Sequence, residues 1–239
     1  AAVVAVTHSF RRNLIGRGID ADKIHVVTNG VDASRFHPMP KDVALERELE
    51  LGGQFVAGYI GTHGMAHALG TLLKAAQILQ QDPKASTIRI LFLGDGAARD
   101  GLIALAADMG LTNVIFRESV PKDRVAQYWS LLDVAIIHLR RTELFTTVIP
   151  SKMFECMGMG VPILLGVEGE AADILNQAKA GLCFEPENGL ELAHKIKDMQ
   201  SDPALVHGFS IEGIASAKGY DRTHLANAML TVLRTVAQR

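Results

Sequence analysis

From residue 55 to residue 184 short apolar runs alternate with stretches whose apolar residues recur at helical spacing, and this alternation restricts the fold more than any other feature of the chain. Runs at 55–60, 88–93, 114–116, 134–138, 163–165 and 182–184 are predicted strands. Between them, Leu69, Leu72, Leu73, Ala76 and Leu79 share one helical face, and helices are predicted at 97–109, 122–131 and 171–178. Strand-helix alternation of this kind implies a mainly parallel sheet with helices on both faces, an α/β doubly wound fold. Ligands of such sheets bind beyond the carboxyl ends of the strands.

One of these units, 150–164 with the sequence PSKMFECMGMGVPIL, reads as a short helix, a glycine stop and a buried strand. Pro150 removes an amide that would lack a helical partner and presets φ for a first turn, where Ser151 can hydrogen-bond backbone. The first amides of a helix have no intrahelical acceptor, and with the helix dipole they favour an anion, most often phosphate. Ser151 and Lys152 stand at that end. Glu155 projects to the same side about 6 Å further along. This step suits a nucleoside diphosphate at the helix tip and its ribose one turn down, with the carboxylate accepting from ribose hydroxyls. Met153, Phe154, Met157 and Met159 can pack behind, and Gly158 and Gly160 permit close packing or a left-handed helix end.

With these residues the chain resembles the C-terminal nucleotide-sugar-binding half of retaining GT-B glycosyltransferases, the glycosyltransferase group 1 family. Its signature is a Glu, seven residues, a second Glu, then small residues leading to Gly-x-Pro and a strand. Glu155 through Gly160, Val161 and Pro162 match the second half of that pattern. The first half departs from it: eight residues before Glu155 stands Thr147, and the nearest acid, Glu143, lies four residues too early. The Ile-Pro-Ser-Lys run ahead of Glu155 resembles a branch that makes bacterial surface polysaccharides. The resemblance implies a Rossmann-like half of a GT-B fold and sugar transfer from a nucleoside diphosphate sugar with retention. It assigns catalytic roles to Lys152 and Glu155, and sugar contacts to Thr147 and to backbone amides of Ile149, Ser151 and Lys152.

The other expected donor contacts follow strands. Gly61, Thr62, His63 and Gly64 succeed the first strand of the series, and glycines there let backbone amides approach phosphate. The family carries an Arg and a Lys in this loop, and GTHGMAHALG has neither. A histidine beside two phosphates would have its pKa raised, so His63 or His67 could serve as the cation near pH 7, with Lys152, Arg140 and Arg141 as the other candidates. Gly94-Asp95-Gly96 resembles the family's Gly-x-Gly loop near the nucleotide, although no third glycine completes a dinucleotide fingerprint. Arg117 follows the 114–116 strand where the family meets the base, either stacking on the ring or forming a surface ion pair.

By the same resemblance, 1–28 is the end of an N-terminal acceptor domain, 29–40 a hinge, 41–217 the donor-binding domain and 218–239 a C-terminal helix. Residues 1–6 form an apolar strand with nothing before it to pair with, which reads as a fragment, and Asn29-Gly30-Val31-Asp32 matches the family's hinge. The last helix, 221–236, places Leu225, Met229, Leu230 and Leu233 on one face, apolar surface open to self-association.

A net charge of −2 gives no basic face for nucleic acid, and no apolar run approaches the roughly 20 residues that cross a bilayer. Cys156 and Cys183 have no metal-like spacing and read as reduced, buried thiols of a cytoplasmic protein, peripheral at most on the inner face of the membrane through the acceptor domain. No metal and no cofactor are expected. The partners are a nucleotide-sugar, with UDP-sugar as the guess, and an acceptor glycan or lipid-linked sugar. The rival reading is a non-catalytic nucleotide-sugar-binding or assembly module, which the missing Glu and the missing Arg-Lys pair would fit. A sugar-nucleotide epimerase would need acids where the chain has a Thr-rich loop.

Overall fold

The computed structural model describes residues 1–238; Arg239, the end of the predicted C-terminal segment, lies outside them. In chain order the elements are β1 (Val3–Ala5), α1 (His8–Gly16), β2 (Ile24–Val26), α2 (Val43–Glu48), β3 (Phe55–Ile60), α3 (Gly70–Gln80), β4 (Ile88–Leu93), α4 (Arg99–Asp108) and β5 (Val114–Arg117). They continue with α5 (Val125–Leu131), β6 (Val134–His138), α6 (Lys152–Met159), β7 (Ile163–Gly166), α7 (Glu170–Ala178), β8 (Gly181–Cys183), α8 (Gly189–Ser201), α9 (Pro203–Ala217) and α10 (Arg222–Ala237).

The six predicted strands of the series form one parallel sheet in the order β5-β4-β3-β6-β7-β8, and β1 and β2 pair separately. The order reverses direction between β3 and β6, which makes the loops after these two strands the natural ligand edge. Period-two alternation divides the core into two layers. Ile88, Ile90 and Phe92 of β4 pack with α3 and α8, through Leu72, Leu73 and Ile196, while Leu91 and Leu93 face the other side, with Trp129 of α5 and Phe154 of α6. Both faces are therefore covered, as near-continuous apolar strands require.

The N-terminal segment is thinner than its sequence suggests. Leu14 and Ile15 are only half-buried, because α1 covers a two-stranded sheet and has no second layer behind it. Glu170, at the start of α7, accepts from the amides of His8 (2.8 Å) and Ser9 (2.7 Å) and so ties α1 to the main sheet. The expected hinge runs against α6, where a Cβ on Gly158 would come within 2.8 Å of the Phe36 carbonyl oxygen. It also meets the start of α10: Val31 donates to the Tyr220 carbonyl (2.9 Å) and Arg222 to that of Val31 (2.9 Å). Beyond that start α10 has no buried residue, and Leu230 and Leu233 are exposed.

Candidate functional site

The helix after β6 has its beginning at the reversal point of the sheet and is held there by packing. Six of its eight residues, Met153, Phe154 and Cys156–Met159 among them, are buried, and Gly160 closes it in the left-handed conformation (φ 71°). One expectation fails at its other end. Ser151 is itself helical (φ −59°, ψ −28°) and its hydroxyl makes no capping hydrogen bond, since a cap requires an extended residue at that place. The amides of Ser151 and Lys152 consequently have no acceptor among the described residues. Lys152 and Glu155 line one cavity of about 310 Å³ together with Gly61 and Ser151.

Lys152 lies against the loop after β3. Its ammonium sits 4.2 Å from the centre of the Tyr59 ring, and burial pulls its pKa down to about 8. A Cβ on Gly61 would fall 2.1 Å from Nζ, so only glycine leaves room for the lysine to reach this position. The Tyr59 hydroxyl donates to the Thr62 carbonyl (2.8 Å) and fixes the loop's course. Glu155, partly buried, has its carboxyl pushed up by burial. The Trp129 indole N–H, near it but without a hydrogen bond of normal geometry, opposes that push, as do Arg222, Lys152 and Arg35.

The histidines behave differently from expectation. His63 is fully buried, with its ring between those of Tyr59 and Phe92, and it lines neither this cavity nor its neighbour. Burial lowers its pKa to about 4, so it is neutral near pH 7 and is not the cation sought in this loop. His67 is likewise lowered, first by burial and then by Lys152, and its ring meets the His138 carbonyl at 3.4 Å. His138 completes the exchange by pairing with the His67 carbonyl (2.7 Å) and accepting from the Glu187 amide (2.9 Å), which joins the loops after β3, β6 and β8.

A second cavity of about 260 Å³ is lined by Gly61, Thr62, Gly94, Asp95, Ser119 and Val120, among others. The loops after β3 and β4 interlock here, for a Cβ on Gly94 would fall 1.9 Å from the Gly61 carbonyl oxygen. Asp95 caps its own loop by accepting from the Gly96 amide (2.7 Å), and its carbonyl accepts from the His63 amide (2.8 Å). Gly64, partly buried, opens the short turn that carries His67.

Five other expected residues line neither cavity. Arg117 gives its carbonyl to the Gly94 amide (3.1 Å), but it lines a groove along β5, the edge strand, with Glu48 and Arg89. The Thr147 hydroxyl turns back to the Leu144 carbonyl (2.7 Å), and the Ile149 side chain is in the core, with its amide unpaired among the described residues. Arg141, offered as a spare cation, is paired with Glu185 (2.7 Å) and Glu168 (3.1 Å), and Arg140 lines neither cavity. The cations that do line the 310 Å³ cavity beside Lys152 are Arg35, Lys122 and Arg222, none of them singled out by motif.

The model of the family described as glycosyl transferases group 1 matches residues 54–202, more than half of the chain. The chain belongs to this family. Relatives within reach of it include the D-inositol 3-phosphate glycosyltransferase of Nocardia farcinica, 27% identical over 237 residues that cover 95% of this chain and 51% of that protein. The 2-deoxystreptamine glucosyltransferase of Streptomyces kanamyceticus is 27% identical over 187 residues, covering 77% of this chain and 46% of its own. The chain thus spans about half the length of such relatives. In fold it is similar to Anabaena HepE, solved in complex with UDP, at a TM-score of 0.85 and 20% identity, with 98% of this chain and 64% of that one covered. It is similar also to the C-terminal domain of the group 1 family protein LpcC of Francisella tularensis (TM-score 0.66, 18% identity), which covers 81% of this chain and 100% of that domain. The group 1 family and the doubly wound sheet thus rest on separate comparisons.

Proposed function

We propose that this chain is the donor-binding part of an enzyme that moves a sugar from a nucleoside diphosphate sugar to an acceptor with retention of configuration, in polysaccharide or glycoconjugate synthesis. One observation carries the reading: Lys152, Glu155 and the unpaired amides at the tip of α6 border a single cavity at the point where the strand order reverses. Diphosphate oxygens would take the amides and Lys152, the ribose hydroxyls would donate to Glu155, and the base would enter the cavity between the loops after β3, β4 and β5. UDP is the proposed nucleotide, in keeping with the UDP bound by HepE.

In the transfer, the bond between the anomeric carbon and the phosphate oxygen breaks while a bond to the acceptor oxygen forms on the same face. The acceptor proton passes to the departing phosphate, so no separate base is needed. Charge developing on that phosphate is met by Lys152 and by fixed backbone dipoles, which need no reorganisation during the step. The acceptor, a glycan or a lipid-linked sugar, would be held by sequence outside the donor domain. Among the described residues no group of acids, histidines or cysteines could hold a metal ion, and no helix is long and apolar enough to cross a membrane.

Calorimetric titration with UDP, GDP and ADP, each with and without magnesium, tests the reading. Metal-independent binding of UDP is the expected result, and no binding by any of the three would overturn it.

A further inference from the structure

The 310 Å³ cavity holds more positive charge than Lys152 supplies. Arg35 of the expected hinge, Arg222 of the first turn of α10 and Lys122, ahead of α5, also line it. One carboxylate, Glu155, faces these four cations, and none of the four is in an ion pair among the described residues. Asp32 is the other acid near the two arginines. Its carboxylate accepts from the Ser34 amide (3.1 Å) and hydroxyl (2.6 Å), and those bonds, more than Arg35 or Arg222, hold its pKa below the ordinary value.

Both arginines are carried by one clasp. Arg222 donates through Nε to the Gly30 carbonyl (3.1 Å) and through its amide to that of Val31, while the Arg35 side chain makes no hydrogen bond among the described residues. Like charges gathered around one cleft repel one another unless an anion joins them, and an empty cleft of this kind raises the local concentration of anions. The loop after β3, where the family carries its Arg and Lys, offers only His63 and His67, whose charged forms burial disfavours.

We infer that Arg35 and Arg222 are anion-binding residues for the diphosphate of the bound nucleotide, supplied by the hinge and by α10 instead of by the loop after β3. This rests on the donor reading above. A diphosphate held in this way touches α6 on one side and the clasp on the other. Its arrival therefore ties residues 30–36 and 220–222 to the sheet.

Titration of the full chain with UDP, GDP, ADP and the matching monophosphate and nucleoside separates the two claims. Arg35→Gln is the cleaner variant, because it breaks no hydrogen bond of the free protein. It should weaken diphosphate affinity about tenfold and reduce its salt dependence, with nucleoside affinity unchanged. Arg35→Lys should recover most of the loss. Binding should also slow hydrogen exchange at the Val31 and Arg222 amides in the wild type and slow it less in Arg35→Gln. A wild type that binds no nucleotide overturns the donor reading, and the inference with it. A wild type that binds a diphosphate that Arg35→Gln binds equally well, with the same salt dependence, overturns the inference alone. Equal losses for diphosphate and nucleoside would do the same, since they would make Arg35 structural.

Discussion

The starts of α6 and α10 border the same cavity and are satisfied in opposite ways. At α10, Asp221 is extended (φ −64°, ψ 132°) and accepts from the Thr223 amide (2.8 Å), and the helix that follows buries no residue. At α6 the corresponding residue, Ser151, makes no cap, and the helix that follows is buried along most of its length. A helix fixed by its packing can leave its first amides unmade, whereas one lying on the surface depends on its cap. The open end is therefore the one suited to a ligand.

The substitution that should disturb this contrast most is Ser151→Asp. An acid there would suit the helix dipole, raising the melting temperature, while repelling a diphosphate from the tip. Loss of measurable UDP binding in calorimetry, with a higher Tm, is the expected pair of results; retained affinity would place the diphosphate elsewhere. Glu155→Ala should come next, with UDP affinity falling about 100-fold through lost hydrogen bonds to the ribose and Tm little changed. Unchanged affinity with a lower Tm would make Glu155 a structural residue.

Lys152→Met should weaken UDP about tenfold and remove a pH dependence. In the wild type the amine titrates at about 8, below its ordinary 10.5, because burial disfavours its charge. UDP affinity should hold steady below pH 8 and fall above it as the proton leaves. Stability runs the other way. Below pH 8 the protein carries the full cost of the buried charge, and from about 8 toward 10.5 that cost is relieved, because the unfolded chain still holds the proton that the native one has lost. Lys152→Met should accordingly raise Tm at neutral pH, and a lower Tm would show that the ammonium is stabilised by its place over Tyr59.

Smaller effects are expected at α10. Asp221→Ala removes the cap and should cost about 1 kcal/mol in denaturant unfolding, with a several-fold loss of UDP affinity as Arg222 loosens. Leu233→Ser, on the exposed face, should change stability by less than about 0.5 kcal/mol. A larger loss would mean that this face is covered.

Much of the arrangement was legible in local sequence. Runs of two periods announced the six strands and their helices, and Pro150 and Gly160 bounded α6 through backbone chemistry that needs no tertiary partner. Lys152 and Glu155 could be placed on one side of that helix by spacing alone. The charge state of His63 could not be read in this way, because its pKa depends on burial between Tyr59 and Phe92, residues on two neighbouring strands. Ser151 looked like a cap because serine often is one, and the way the chain enters α6 after 143–149 made it helical instead.

Arg35 and Arg222 show the same division. Each is an ordinary surface arginine in its own stretch of sequence, and they are 187 positions apart. The order of residues determined where strands and helices begin and which side chains each helix presents, since these follow from contacts a few residues long. Which cations share a cavity, and which histidines lose their charge, was decided by the return of the start of α10 to Val31 and by the packing of the loops after β3 and β4, because electrostatic energy depends on distance in space and on exclusion from water.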